Sequence, residues 1–146
     1  MILLKKISLK NFLSHSNTEI EFNPQHRLLI DGVSGSGKSS IVDSLIFAFY
    51  GKGRSDNRSL IKKGTKNCKV TVDLIDNAKP ISYRIERSID SNNKHLFEIF
   101  EREGKGEYKL VNALGIRGAQ DYIEKEILHS SYLLFINSIV FPQENI

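Results

Sequence analysis

Apolar and polar positions alternate with period 2 along much of the chain, and the rhythm turns helical in two places. Residues 5–11 set Ile7 and Leu9 between polar neighbours, which predicts an edge or half-buried strand. Residues 12–17 (Phe-Leu-Ser-His-Ser-Asn) read as a turn. Residues 18–22 alternate again through Ile20 and Phe22, so the two strands pair as a hairpin, and Pro24 punctuates a second turn. Arg27-Leu28-Leu29-Ile30-Asp31 reads as a short buried strand. Over residues 40–50 the spacing becomes helical, with Ile41, Leu45 and Phe49 on one line and Val42 and Ile46 on another. Gly51 supplies the stop.

Residues 51–67 are polar and basic, with one apolar pair, Leu60-Ile61. That is long for a connection, which marks the segment as functional or partly mobile. Residues 69–75, 81–87 and 96–101 each alternate with period 2, and Gly104-Lys105-Gly106 turns into residues 108–111. Together these predict an antiparallel meander. Residues 119–128 carry Tyr122, Ile123, Ile127 and Leu128 at helical spacing. Ser130 or Ser131 can cap a shorter helix through Leu134, Phe135 and Ile136, and Ile139-Val140-Phe141 reads as a buried strand broken by Pro142. The predicted fold class is α/β with a mixed sheet, formed by residues 1–146 as a single lobe.

Composition narrows the class. A chain of 146 residues, 40% hydrophobic and 26% charged, is one domain's worth of ordinary globular sequence. No apolar run reaches the roughly 18 residues that span a membrane. The first residues, Met-Ile-Leu-Leu-Lys-Lys, lack the charge order and apolar length of a signal peptide. The lone Cys68 excludes an internal disulfide framework and a cysteine zinc cluster, and reads as a small residue beside a strand. The expectation is a soluble, non-secreted protein of the cytoplasm, nucleoid or nucleus. Residues 1–69 hold 12 Lys/Arg against 5 Asp/Glu (+7) and residues 70–146 hold 9 against 12 (−3), which together give the net +4. The densest basic run is Lys52, Arg54, Arg58, Lys62, Lys63, Lys66 and Lys69, opposed by Asp56, and suits either a solvated loop or contact with nucleotide or nucleic acid.

The chemistry centres on Gly32-Val33-Ser34-Gly35-Ser36-Gly37-Lys38-Ser39-Ser40, which fits G-x-x-x-x-G-K-[ST] at every fixed position. Its glycines let successive N–H groups of Ser34, Gly35, Ser36 and Gly37 curl around an anion. Lys38 adds a point charge for the β- and γ-phosphates, the Ser39 hydroxyl can ligate Mg²⁺, and the following helix contributes its positive end. A strand before the loop and an amphipathic helix after it separate this motif from a Gly/Ser linker. The sequence lacks the strand of four apolar residues ending in Asp-Glu that would support Mg²⁺ and activate water. Candidates around Asp73 and Asp76 alternate and belong to the meander. Gln143, after a buried strand, is a candidate to reach a metal or water, and His15 between two serines reads as a turn histidine.

In order along the chain, Lys10-Asn11-Phe12-Leu13-Ser14-His15-Ser16, Ile20-Glu21-Phe22, the 32–40 loop, Ile41-Val42-Asp43-Ser44-Leu45, Phe49-Tyr50-Gly51, Leu60-Ile61-Lys62-Lys63-Gly64, Tyr83-Arg84-Ile85-Glu86-Arg87 and the stretch from Phe135 to Gln143 resemble the N-terminal half of an SMC-like ATPase head. The resemblance is greatest to the SbcC or Rad-fifty type of DNA break-repair ATPase, within the ABC-type phosphate-loop superfamily. It implies ATP and Mg²⁺ as cofactors, with Ser40 on an α-phosphate oxygen, Ile61, Lys62 and Lys63 beside the nucleotide, and Gln143 as the Q-loop ligand of Mg²⁺. It implies that a coiled coil, signature motif and Asp-Glu strand follow the Q-loop, so the chain reads as truncated just after it and unable to turn over ATP alone. The implied partners are the C-terminal half of the head, a second head in a homodimer, a repair nuclease and DNA, with no membrane. The sequence departs from the family pattern in Leu13 for Arg, Ser34 for Asn, and Pro142-Gln143-Glu144 for Arg-Gln-Gly. Other readings of the same loop are another SMC, RecF or RecN-type ATPase, a nucleotide kinase or transport-type ATPase, which the meander disfavours, and a DNA-binding module without turnover.

Overall fold

In a computed structural model, residues 2–22, 38–52, 56–76, 78–111 and 115–128 are described. The architecture is mixed α/β, with helices on one face of an antiparallel sheet. The strands are β1 (Ile2–Phe12), β2 (His15–Glu21), β3 (Asn67–Asp76), β4 (Ile81–Asp90), β5 (His95–Glu103) and β6 (Lys109–Leu110). They lie in the order β2-β1-β3-β4-β5-β6, and among the described residues every pairing is antiparallel. The expected hairpin and meander both form. Of the two readings of the first strand, edge or half-buried, the second holds, because β2 and β3 flank it. It is also longer than residues 5–11, and the turn expected over 12–17 contracts to Leu13-Ser14. The reason is two interruptions of the period-2 rhythm. The register slips between Leu4 and Lys6, and Asn11 and Leu13 take φ of 53° and 52°.

Helix α1 (Lys38–Tyr50) packs on the inner face of the sheet, formed by Ile7 and Leu9 of β1, Cys68, Val70, Val72 and Leu74 of β3, Tyr83, Ile85 and Ile89 of β4, and Phe97 and Ile99 of β5. Leu45, Phe47, Ala48, Phe49 and Tyr50 are all buried, so the second half of α1 is enclosed on several sides, whereas Val42 and Ile46 are half-buried. Phe12 and Phe47 meet with ring centroids 6.1 Å apart, joining the β1–β2 hairpin to the helix. Gly51 ends α1 as expected, in the left-handed region at φ 68°, with its N–H on the Phe47 carbonyl at 2.8 Å.

A 3₁₀ turn (Asn57–Leu60) buries Leu60 and leads back into β3. Near the end of the described chain, α2 (Gly115–Tyr122) runs into a π-helical turn (Ile123–Ile127). The buried line there is Ala119, Ile123 and Ile127, with Tyr122 and Leu128 only partly covered, so the apolar face is narrower than the sequence suggested. The strands expected over 27–31 and 139–141 and the helix over 134–136 lie outside the described residues.

Candidate functional site

The β1–β2 hairpin, the start of α1 and the segment after the 3₁₀ turn converge at one end of the sheet. Asn11 and Leu13, both left-handed, flank the fully buried Phe12. Asn tolerates that conformation, but in Leu it is strained and persists only where neighbours enforce it. Here two backbone bonds do so. Leu13 N–H donates to the Leu60 carbonyl at 2.7 Å, and Lys62 N–H donates to the Asn11 carbonyl at 2.8 Å, around a bridge between Phe12 and Ile61. The 60–62 backbone is thereby bridged to the hairpin. The Lys62 ammonium then donates to the Ser16 hydroxyl.

The left-handed Asn11 also resets which side chains face inward, from the odd positions Ile7 and Leu9 to the even Phe12. His15, paired with Phe12 in the ladder, therefore turns toward α1. Its Nε2 lies 2.8 Å from the Ser40 hydroxyl, and its Nδ1 lies 3.0 Å from the Thr18 hydroxyl. The reading of His15 as a turn residue is thus corrected: it opens β2 and reaches the first turn of α1. Nothing in the period-2 pattern signals this, because the contact depends on a positive φ four residues earlier.

Of the sequence-predicted site residues, Ser40, Ile61 and Lys62 are brought to this end of the molecule, and Lys63 follows in an exposed turn. Lys38 and Ser39 open α1. Ser34, Gly35, Ser36, Gly37 and Gln143 lie outside the described residues. Among the described residues the basic run does not form one continuous patch. Arg58 is paired with Asp56 at 2.7 Å, which holds that carboxyl at about 2, and Lys69 meets Glu86 at 3.1 Å on the outer face of the sheet. That face is laced by further cross-strand pairs, Lys6 with Glu19 and Arg84 in a two-point contact with Asp73 at 2.8 and 3.1 Å.

The opposite end of α1 holds a second polar constellation that the sequence did not disclose. Arg87 of β4 is only 4% exposed, and its Nε donates to the Ala48 carbonyl at 3.2 Å. Its Nη2 donates to Gln120 Oε1 at 2.8 Å, while Gln120 Nε2 donates to the Phe49 carbonyl at 2.7 Å. The guanidinium stacks over Phe97, 3.5 Å from the ring centre. Burial pushes Arg87 down to about 9, still well above neutrality, so the group stays charged against the negative end of the helix dipole.

Among the described residues no cluster of three His, Cys, Asp or Glu could hold a metal ion.

The similarities to known proteins run along nearly the whole chain. The chain is 35% identical over 146 residues to the DNA double-strand break repair Rad50 ATPase of Thermoplasma volcanium, and 34% identical over 151 residues to that of Methanocaldococcus jannaschii. The alignments cover 97% and 99% of this chain but only 15% and 13% of those relatives. Among solved structures, the recombination mediator protein RecF with ATP superposes with a TM-score of 0.53 at 21% identity, over 73% of this chain and 28% of that one. At that identity the likeness concerns the fold alone. A family model described as an AAA domain matches residues 6–146, and the chain belongs to that family.

Proposed function

We propose that this chain is the nucleotide-binding lobe of a DNA double-strand-break repair ATPase head. One observation carries the reading: the phosphate-loop pattern over residues 32–40 sits in a chain similar along nearly its whole length to curated repair ATPases. The convergence of Ser40, Ile61 and Lys62 at the start of α1 supports it. In this reading Ser34, Gly35, Ser36 and Gly37 give backbone N–H donors to the phosphates, Lys38 holds the β- and γ-phosphates, and Ser40 meets an α-phosphate oxygen. Ser39 and Gln143 share Mg²⁺, and Lys62 and Lys63 face the nucleotide from the hairpin side. Bound Mg²⁺ supplies charge neutralisation along the phosphates. ATP-dependent pairing with a second head, the C-terminal half of the head, a repair nuclease and DNA complete the function. The water-activating Asp-Glu is absent from these residues, so the chain alone binds nucleotide with little turnover.

Calorimetry of Mg-ATP binding by the chain and by Lys38→Ala tests this. The variant is expected to keep its circular dichroism and lose binding. Unchanged affinity in the variant sinks the assignment.

A further inference from the structure

We propose that His15, held by Thr18, is a positioning residue that turns the Ser40 hydroxyl into a hydrogen-bond donor for a nucleotide phosphate. The inference rests on the nucleotide-binding reading above and adds residues that the phosphate-loop pattern does not contain.

A neutral His15 ring allows two proton arrangements at its two contacts. Both ring nitrogens of His15 meet hydroxyls, Thr18 Oγ1 at 3.0 Å and Ser40 Oγ at 2.8 Å. A neutral imidazole carries one N–H and one bare nitrogen, and a hydroxyl either donates or accepts. If Nε2 is bare, it takes the Ser40 hydrogen, and Ser40 presents oxygen lone pairs to its surroundings. If Nε2 carries the hydrogen, it donates into Ser40 Oγ, and the Ser40 hydrogen points away from the ring. Nδ1 is then bare and accepts from Thr18.

A phosphate oxygen at the positive end of α1 selects between them. It is an acceptor only, so it is repelled by the first arrangement and bonded by the second. The donation from Nε2 also polarises the Ser40 O–H and strengthens its bond to an anion. Thr18 is on the strand ladder opposite Leu9, whose side chain is buried, so the third member of the relay is fixed by the sheet. The N-terminal hairpin therefore reads the nucleotide through Ser40 although His15 itself touches no phosphate.

The relay makes a distinction that a packing role does not. His15→Gln retains an N–H donor at the Nε2 position, whereas His15→Leu retains the bulk and loses the donor. Mg-ATP and Mg-ADP affinities are measured by calorimetry for the chain, His15→Gln, His15→Leu, Ser40→Ala and the His15→Leu/Ser40→Ala pair, with thermal melts as the check on folding. His15→Leu is expected to weaken both nucleotides about tenfold, the scale of one hydrogen bond to a charged group. His15→Gln is expected to restore most of that loss, and the pair to be no weaker than Ser40→Ala. Nitrogen-resolved NMR of the imidazole is expected to show the hydrogen on Nε2 in the nucleotide complex. If Lys38→Ala abolishes binding while His15→Leu binds as tightly as the parent, or if the two losses simply add, the relay is overturned and the nucleotide site stands. If Lys38→Ala binds as well as the parent, the nucleotide reading itself has failed.

Discussion

At the scale of single residues, the buried groups of the inner face respond to pH in ways that can be assigned. Cys68 lies in β3 with no exposed surface, and burial pushes its thiol up from 9.0 to about 11. The folded chain thus holds this proton more tightly than the unfolded one. Its contribution is complete below pH 9 and fades as the pH rises toward 11, because the unfolded chain ionises first. Tyr122, raised to about 12 by burial and by the Glu101 carboxylate, acts in the same direction at higher pH, and Arg87, lowered to about 9, acts in the opposite one. A comparison of the parent with Cys68→Ala cancels the last two. The variant is expected to be less stable by about 1 kcal/mol at pH 8, from lost packing of the sulfur. Urea unfolding is expected to show this deficit shrinking as the pH passes from 9 to 11. A constant deficit would mean that the thiol titrates normally. Reading Cys68 as a small residue beside a strand was close, since parity in β3 already placed it with Val70 and Val72. His15 was not legible in the same way, because its inward turn follows from the left-handed Asn11 and not from any pattern of residue types.

At the scale of elements, α1 was the most legible part of the chain: an uninterrupted run of helix-compatible residues ended by Gly51. What the sequence could not show is how that end is held. Arg87 and Gln120 are far apart in the chain, and only the fold brings both to the last carbonyls of α1. Gly51 is part of the same arrangement. A Cβ at this position would stand 2.1 Å from Arg87 Nη1, and its φ of 68° is left-handed. Gly51→Ala therefore carries two penalties, about 1–2 kcal/mol for the backbone and a further one for displacing the guanidinium. Arg87→Ala is expected to cost about 3 kcal/mol, because it empties a buried site and orphans the Ala48 carbonyl and Gln120 Oε1. In the double variant the steric penalty disappears, so the two effects are expected to fall short of additivity by about 1 kcal/mol or more. Simple addition in denaturant titrations would argue that the side chain moves aside without cost. The same limit on sequence reading explains β1. Its slip at Lys5 and its left-handed residues break one eleven-residue strand into shorter apparent pieces, so the pattern leaves edge and half-buried placements both open.

At the scale of the whole molecule, α1 is tied to the sheet at both ends, through His15 and Ser40 at its start and through Arg87 and Gln120 at its finish. Between them it fills the inner face of β1, β3 and β4. A ligand at the start of α1 therefore binds a surface that exists only while helix, hairpin and meander are assembled. Such binding raises the stability of the assembled unit and not of one loop, by about 2.7 kcal/mol when free ligand is a hundred times its dissociation constant. For a chain of 146 residues this corresponds to a rise of roughly 5–10 °C in the melting midpoint. Differential scanning calorimetry with Mg-ATP is expected to show that shift in one transition, with helix and sheet signals moving together. Lys38→Ala, which lacks the charge proposed to hold phosphate, is expected to show none. An equal shift in the variant would place the stabilising ligand elsewhere on the molecule. A shift confined to the helical signal would show that the ties at the two ends of α1 do not couple it to the sheet.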